Sequence, residues 1–270
     1  MNNKSYRIGS VPFLNALPLI DHLQNNPQPD LFTLSYDVPS TLVKKLETKQ
    51  LDVALASSFY CLQNPDAKIV DNISISSFGR VHSVRLFSKK PFQQINSLAL
   101  DSGSMTSTAL AQIILAEKFE IKPQTFYSIP NLKQMLSNAD AAVIIGDAGM
   151  AESAENLYVM DLGEQWQNIT NLPFVWALWI ALETPKEELV NLLLNAKKSG
   201  MQRIVEIAQN APEYPGISQH MRLQYLAEIM NYDLTQEHWA GWNEFAKYCV
   251  KHNLTAIQQI PESVNEATPL

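Results

Sequence analysis

The first ninety residues alternate between short runs with a strand pattern and amphipathic stretches with helical spacing. Residues 6–11, 32–36 and 52–56 are predicted strands, and the last is mostly apolar, as in a parallel sheet buried on both faces. Between them, Pro18 and Pro39 stand where amphipathic helices can begin, because proline fits the first turn of a helix. This strand–helix–strand succession is typical of a doubly wound sheet.

A second unit of the same kind begins near Lys89, and an all-helical segment follows it. A long apolar strand over residues 174–180 leads into the C-terminal part, where apolar residues recur at helical spacing and no strand signal remains. One such helical stripe consists of Leu223, Leu226, Ala227 and Met230. Those helices need a sheet face to cover, and the first unit offers one. The strands predicted for the second unit are residues 97–100, 126–129, 142–145 and 157–160.

The order of these elements predicts that the chain crosses twice between two lobes. We expect it to leave the first lobe near residue 89 and to return near residue 174. Residues 1–88 and 175–270 would then form a discontinuous lobe 1, which carries the C-terminal helices, and residues 89–174 would form lobe 2. Two crossings make a hinge, so the predicted architecture is an α/β protein with its ligand cleft between two lobes.

Composition narrows the classes of function. The chain has 270 residues, of which 46% are hydrophobic and 17% charged, and this is typical of a globular protein. The net charge of −7 argues against a broad nucleic-acid surface. The apolar runs fall short of a membrane span, and the first residues lack the pattern of a secretory signal. We therefore expect a cytoplasmic protein without a membrane or nucleic-acid partner.

The sequence contains no standard set of metal-binding or nucleophilic residues. The five histidines show no HxxH or HExxH spacing, so no metal site is predicted. Cys61 and Cys249 lie in apolar surroundings and are expected to be buried thiols. The chain also has no GxSxG elbow and no GxGxxG loop. An enzyme with this sequence would work by hydrogen bonding, orientation and exclusion of water.

Polar segments follow predicted strands, and open α/β sheets bind ligands at the carboxyl ends of their strands. In the first segment, Asn15 precedes the helix that Pro18 starts, where it can cap the helix or donate to a carboxylate. In the second, Ser57 and Ser58 stand beside Phe59. Hydroxyls with an aromatic ring suit a cyclic substrate, although paired serines also serve ordinary turns.

Two further polar segments adjoin predicted strands. Over residues 79–88, alternation places Ser83 and Arg85 on one face and His82 on the other, where His82 is either a proton carrier or a surface residue. Residues 101–108 form a strand–turn–helix pattern with a glycine and several hydroxyls. The unpaired N–H groups of a helix start favour an anion, although serine and threonine are also plain helix caps.

Together these segments resemble the chorismate dehydratase family, which acts in the futalosine route to menaquinone. The resemblance covers nearly the whole chain in the right order. It implies a type II periplasmic-binding-protein-like fold in a protein that is not a transport receptor. It rests on RIGSVPFLNALPL, VPSTLVKKLETKQLDVALASS, GRVHSVRLFS, LALDSGSMTSTAL, DAAVIIGDAGM, DLGEQWQNITNLPFVWALW and YLAEIMNYDLTQEHWAGWNEFAKYC.

The resemblance implies loss of water from chorismate, giving 3-[(1-carboxyvinyl)oxy]benzoate without a metal or an organic cofactor. It implies that Asn15 and Ser83 are catalytic, orienting the substrate and polarising the reacting group, and that Thr106 and Ser107 hold a carboxylate. Because no strong general base is evident, we expect a substrate carboxylate to take the ring proton. Further substrate contacts are expected from Phe13, Ser58, Arg85, Ser102, Gly103 and Ser104.

Three departures from the family pattern keep an alternative open. Met105 stands where the family has arginine, Phe13 stands where it has tyrosine, and residues 57–61 lack its glutamate. The alternative is a non-catalytic or retuned protein of the same fold that binds another small carboxylate. Dihydroxynaphthoate synthases, which share the fold, open with SPCPND, and residues 10–15 do not match this motif. A homodimer is left open.

Overall fold

The computed structural model describes residues 5–256 and 260–261, which form two mixed sheets covered by helices. A π-helical segment covers Tyr225–Ile229, and 3₁₀ turns cover Leu14–Ala16 and Phe92–Gln94. The strands are β1 (Tyr6–Ser10), β2 (Phe32–Tyr36), β3 (Val53–Ser57), β4 (Lys68–Ser77), β5 (Val84–Ser88), β6 (Ser97–Asp101), β7 (Gln124–Ser128), β8 (Ala141–Ile145), β9 (Tyr158–Asp161), β10 (Phe174–Ala181) and β11 (Met230–Asn231). The helices are α1 (Leu17–Asn25), α2 (Pro39–Glu47), α3 (Ser58–Gln63), α4 (Thr106–Phe119), α5 (Leu132–Asn138), α6 (Gly146–Ala151), α7 (Leu162–Thr170), α8 (Glu187–Gln202), α9 (Ile204–Asn210), α10 (Gln219–Gln224) and α11 (Gln236–Lys251).

The first sheet has the strand order β11-β4-β10-β3-β1-β2. Strand β1 pairs in parallel with β2 and β3, while β10 lies antiparallel between β3 and β4. Parallel strands end at the same edge of a sheet, so the segment after β1 and the segment after β3 lie close together. That edge carries Asn15 and Ser57.

The second sheet has the order β7-β6-β8-β5-β9. Strand β6 pairs in parallel with β7 and β8, and β5 lies antiparallel between β8 and β9. Helix α4 starts just after β6, and helix α6 follows β8 directly. Both helix starts therefore lie at the carboxyl edge of this sheet. The predicted two-lobed α/β architecture is confirmed.

The chain passes between the sheets at residues 78–83 and 171–173. The first passage differs from the predicted crossing near residue 89, because Val84–Ser88 pairs with β8 and β9 in the second sheet. Alternation predicts a strand here but carries no information on the sheet that the strand joins. The return lies next to the expected position.

The C-terminal helices cover the first sheet, as predicted. Helix α8 packs on α1 and β4, and α11 packs on β10. One local expectation was wrong. The apolar spacing predicts a regular helix across residues 223–230, but this stretch becomes the π-helical segment and then strand β11. That strand pairs with the edge of β4, where Met230 lies opposite Ser77, and edge pairing overrides the helical pattern. Across the described ranges, no helix combines the length and apolarity that a membrane crossing needs.

Asp161 holds the first passage in place. Its carboxylate accepts hydrogen bonds from the backbone N–H of Val81 at 3.1 Å and of His82 at 2.7 Å. It also caps helix α7 by accepting from the N–H of Glu164 at 3.1 Å. His82 adopts a left-handed backbone with φ 63°, an uncommon conformation for a residue other than glycine. These bonds fix the backbone that presents Ser83.

Helix α1, which starts just after Asn15, is held by a close approach of α8. A Cβ atom at residue 200 would lie 1.7 Å from the carbonyl oxygen of Pro18, so only glycine fits there. The two helices share the largest helix–helix contact among the described residues, and it packs Leu19, Ile20 and Leu23 of α1 into the core.

We expect Gly200→Ala to lower the free energy of unfolding by about 1–3 kcal/mol, because overpacking forces the helices apart. Alanine would otherwise stabilise a helix by about 1 kcal/mol relative to glycine, so the sign of the change is diagnostic. Urea unfolding measures it. Asn195→Ala, at an exposed position of the same helix, is the control and should be neutral or slightly stabilising. A Gly200→Ala protein as stable as this control would contradict the close approach.

Candidate functional site

A small cavity of about 70 Å³ lies between the two sheets, and we call it the central cavity. The segments after β1 and β3 line one side, and the first passage with the start of α4 lines the other. Its wall is mostly apolar, with Trp176, Ile75 and Met230 among the contributors. Its polar side chains are Asn15, Ser57, Ser83, Ser104, Thr106 and Ser107.

Asn15 lies in the 3₁₀ turn ahead of α1 and faces the central cavity. Its Oδ1 is buried, and no described protein atom hydrogen-bonds to it. A buried acceptor without a partner is costly, so it is expected to be satisfied by a bound molecule or water. The neighbouring Phe13 lies against Gly146, where a Cβ atom would be 3.3 Å from the ring and where φ is +64°. Glycine at 146 therefore makes room for the phenyl wall of the cavity.

The hydroxyl of Ser83 is hydrogen-bonded to Tyr225, a residue that the sequence analysis did not single out. The Tyr225 hydroxyl donates to Ser83 Oγ at 2.7 Å, and both side chains are 1% exposed. Tyr225 begins the π-helical segment, so its direction differs from that of a regular helix. The apolar stripe predicted over this stretch did not include it. The only available signal was its place in the C-terminal segment that resembles the family.

Thr106 joins the two sheets. Its Oγ1 donates to the carbonyl oxygen of Trp176 at 3.1 Å and lies 2.5 Å from Ser57 Oγ. The backbone N–H of Phe59 also points to it, at 3.4 Å. The hydroxyl is thus engaged by protein groups on β3, α3 and β10. Thr106 lines the cavity, but its proton is already committed to the protein.

Ser104 and Ser107 shape the start of α4. Ser104 Oγ accepts from the backbone N–H of Ser107 at 3.3 Å, and the Thr108 hydroxyl donates to the Ser104 carbonyl at 2.9 Å. Both serines are buried and line the central cavity. The first turn of a helix has unpaired N–H groups and a positive dipole end, so it favours an anion here.

An adjoining cavity of about 600 Å³ shares Phe13, Pro39 and Ile145 with the central one. Ser102 and Gly103 line this second space, as do the carboxyl groups of Asp101 and Asp147. Among the described residues, none that lines either cavity is Lys, Arg or His. The site can therefore stabilise an anion by helix dipoles and hydroxyl groups, and not by a cationic side chain.

Burial raises the pKa of both Asp101 and Asp147 above the ordinary carboxyl value. Hydrogen bonds offset only part of this effect: Gly103 N–H donates to Asp101 at 2.8 Å, and Leu14 N–H donates to Asp147 at 3.2 Å. A raised carboxyl pKa in a cleft marks a water-poor environment with little positive charge nearby.

Three residues singled out in the sequence lie outside the central cavity. Arg85 donates to the carbonyl oxygens of Gly149 at 2.6 Å and Glu152 at 2.8 Å, so its guanidinium holds the end of α6. Ser58 donates to the Val175 carbonyl at 2.6 Å, and its neighbour Ser57 faces the cavity instead. His82 is exposed and lines neither cavity.

The fold and the cleft between its sheets place the chain in the periplasmic-binding-protein-like class. An Archaeoglobus fulgidus protein of known structure aligns with a TM-score of 0.76 at 14% identity, covering 94% of this chain and all of that one. The alkanesulfonate-binding protein SsuA of Xanthomonas axonopodis pv. citri aligns with a TM-score of 0.68 at 14% identity, over 96% of this chain and 97% of that one. Identities this low show the fold alone.

The family is given by sequence comparison. A family model described as menaquinone biosynthesis matches residues 6–251, and the chain belongs to this family. Two curated relatives, each 26% identical, are named chorismate dehydratase. The Thermus thermophilus relative aligns over 90% of this chain and 95% of its own length. The Campylobacter jejuni relative aligns over 91% of this chain and 98% of its own length.

The raised pKa of Asp147 predicts a pH-dependent gain in stability for Asp147→Asn. A carboxyl whose pKa is higher in the folded state favours folding when protonated, and this advantage is lost as the pH rises through the folded pKa. The variant should therefore gain stability over the wild type as the pH rises from about 4, the ordinary value, towards neutral. Urea midpoints at several pH values measure the gain.

Asp140→Asn is the control with the opposite sign. The hydrogen bond from Lys90 lowers the pKa of Asp140, so its charge stabilises the fold at neutral pH and the benefit fades as the solution is acidified. This variant should lose stability at pH 7 and approach the wild type near pH 3. Parallel pH profiles for the two variants would show that the Asp147 carboxyl is not held in a water-poor site.

Proposed function

We propose that this chain removes water from chorismate and forms 3-[(1-carboxyvinyl)oxy]benzoate. One observation carries the proposal: Asn15 and Ser83 face the same mostly apolar cavity. Asn15 belongs to the segment after β1, and Ser83 belongs to the passage between the sheets. Membership of the menaquinone biosynthesis family, and relatives named chorismate dehydratase, indicate the substrate. The proposed class is a carbon–oxygen lyase.

The proposed reaction requires positioning and proton transfer, and it involves no net redox change. One ring C–H bond and one ring C–O bond break. The electron pair of the C–H bond becomes the double bond that makes the ring aromatic, and the hydroxyl leaves with a proton as water. Hydrogen-bond donors aimed at the departing oxygen lower the barrier to such a step.

Asn15 and Ser83 are suited to the ring hydroxyl. The unpaired Oδ1 of Asn15 would accept its hydrogen, and the Ser83 hydroxyl would donate to its oxygen as the C–O bond breaks. The two residues reach the cavity from different segments of the chain, so the fold itself brings the pair together around the substrate. Phe13 would supply an apolar wall for the ring.

The start of α4 is suited to a substrate carboxylate. Ser104 and Ser107 line the central cavity there, beside the N–H groups of the first helical turn. Thr106 would act by holding the sheets together, because its own hydroxyl is already bonded to Trp176 and Ser57. Ser102 and Gly103 would contact the part of the substrate nearest the adjoining cavity.

The proton acceptor that we propose is a carboxylate of the substrate itself. No Asp, Glu or His lines the central cavity among the residues that the structure describes. Asp101 and Asp147 line only the adjoining cavity, where Asp147 accepts from the Leu14 N–H. In a dry cleft, a substrate carboxylate beside the ring would lose hydration and become a stronger base.

The first test is to incubate the purified protein with chorismate and follow the products by chromatography and mass. We expect loss of one water in the wild type and a drop in kcat of about a hundredfold or more for Asn15→Ala and Ser83→Ala, since each removes a polar group aimed at the reacting atoms. Asn195→Ala and Ser137→Ala, exposed positions of the same residue types, are the controls and should keep full activity.

Three results would change the proposal. Tight binding without turnover would make the chain a small-carboxylate-binding protein of the same fold, an alternative that the lack of a cation around the cavity favours. Neither binding nor turnover would mean a different ligand. Loss of turnover in Asp147→Asn, with chorismate binding intact, would transfer the role of proton acceptor from the substrate to Asp147.

Met105 offers a second test of where a carboxylate binds. It lines the central cavity at the start of α4, at the position where the family pattern has arginine. We expect Met105→Arg to lower KM for chorismate by up to about tenfold at low salt, because it adds a cation beside an anion. Raising the salt concentration should reduce the gain. Met105→Leu is the size-matched control, and an unchanged KM in the arginine variant would place the carboxylates elsewhere.

A further inference from the structure

Tyr225 is buried behind the catalytic pair and does not itself line the central cavity. The π-helical segment that it begins runs directly into β11, whose pairing with β4 ties this stretch to the first sheet. Met230, at the end of the stretch, lines the cavity. The π-helical segment thus places Tyr225, from the C-terminal part of the chain, next to Ser83 in the first passage.

The hydrogen bond between Tyr225 and Ser83 has a direction. The tyrosine hydroxyl donates and Ser83 Oγ accepts, at 2.7 Å. Ser83 must then place its own proton elsewhere, and no other described protein atom hydrogen-bonds to its hydroxyl. Since Ser83 lines the central cavity, its hydroxyl hydrogen can point towards a molecule bound there.

Tyr225 is suited to remain a donor at every working pH. Burial raises the pKa of its phenol well above the ordinary value, and the neighbouring Ser83 and Asn15 offset only part of that effect. A phenol that stays protonated keeps donating to Ser83. Donation to an oxygen strengthens that oxygen's own O–H as a donor, since hydrogen bonds in a chain polarise one another.

We propose that Tyr225 is a positioning residue that holds Ser83 as a hydrogen-bond donor to the substrate. The inference rests on the proposed chorismate dehydration and deepens it, since it explains how a neutral serine can assist a leaving hydroxyl. Without the phenol, Ser83 Oγ is free to rotate and spends only part of its time aimed at the substrate. The effect should appear in the chemical step and leave binding nearly unchanged.

Tyr232 provides a matched control in the same region. It is 2% exposed, and its hydroxyl is buried without a hydrogen-bond partner among the described residues. Tyr225→Phe and Tyr232→Phe therefore remove the same atom from two equally buried side chains. Tyr225→Phe removes a hydrogen bond to Ser83, which lines the central cavity, whereas Tyr232→Phe removes no hydrogen bond among the described residues.

The experiment compares kcat, KM and Tm for both variants with chorismate as substrate. We expect Tyr225→Phe to lower kcat by about tenfold with KM within about twofold of the wild type, as for loss of one neutral hydrogen bond that acts in the transition state. Tyr232→Phe should keep the wild-type kcat. Both proteins should show a cooperative melt, which excludes misfolding as the cause.

A double variant separates positioning from a general structural effect. In a Ser83→Ala background, Tyr225→Phe should have a much smaller effect on kcat than in the wild type, because the group that it positions is gone and only its contact with Asn15 remains. An equal additional loss in that background, or a fully active Tyr225→Phe enzyme, would overturn the inference while the dehydration stands. A wild-type protein that does not convert chorismate would overturn both.

Discussion

The hydroxyl of Thr106 is the contact on which the geometry of the cleft depends. It belongs to the helix that follows β6 in the second sheet, yet its partners are Ser57, Phe59 and Trp176, all in the first-sheet half of the molecule. Because the group is buried and bonded on several sides, breaking it would leave several polar atoms unsatisfied. This contact therefore ties the start of α4 to the first sheet beside the central cavity, together with the packing of α4 on α3, α11 and β10.

Much of this arrangement could be predicted from the sequence, because it follows from local patterns. Strand–helix alternation predicted the two α/β units, and polar residues after predicted strands marked Asn15 and the start of α4 as candidates. The joint role of Asn15 and Ser83 came from the resemblance to the family. Alternation could not assign β5 to its sheet, since both sheets bury such a strand in the same way. Nor could it show that the guanidinium of Arg85 reaches the end of α6, because a long side chain binds far from its backbone.

The position of the Tyr225 side chain could not be predicted from the sequence, for a different reason. The apolar residues around it repeat at helical spacing, so a regular helix would place its side chain by the 3.6-residue period. The π-helical segment changes that period, and the edge pairing of β11 then ends the helix. The position of the tyrosine is thus decided by a strand edge on β4, a partner more than a hundred residues away in sequence. Only the assembled structure contains that information.

The described residues place no cationic side chain around the two cavities, and this connects these features to chemistry. An anion that enters without meeting a cation must be stabilised by many weak donors, and such donors act only when they are held in place. The fixed helix start and the tyrosine behind Ser83 each orient a donor, and the Thr106 contact ties the start of α4 to the first sheet. A substrate carboxylate held by dipoles instead of by an ion pair keeps more of its basicity, because an opposite charge would lower its pKa. A lining without a cation among the described residues thus suits the proposed reaction, in which the substrate supplies its own base.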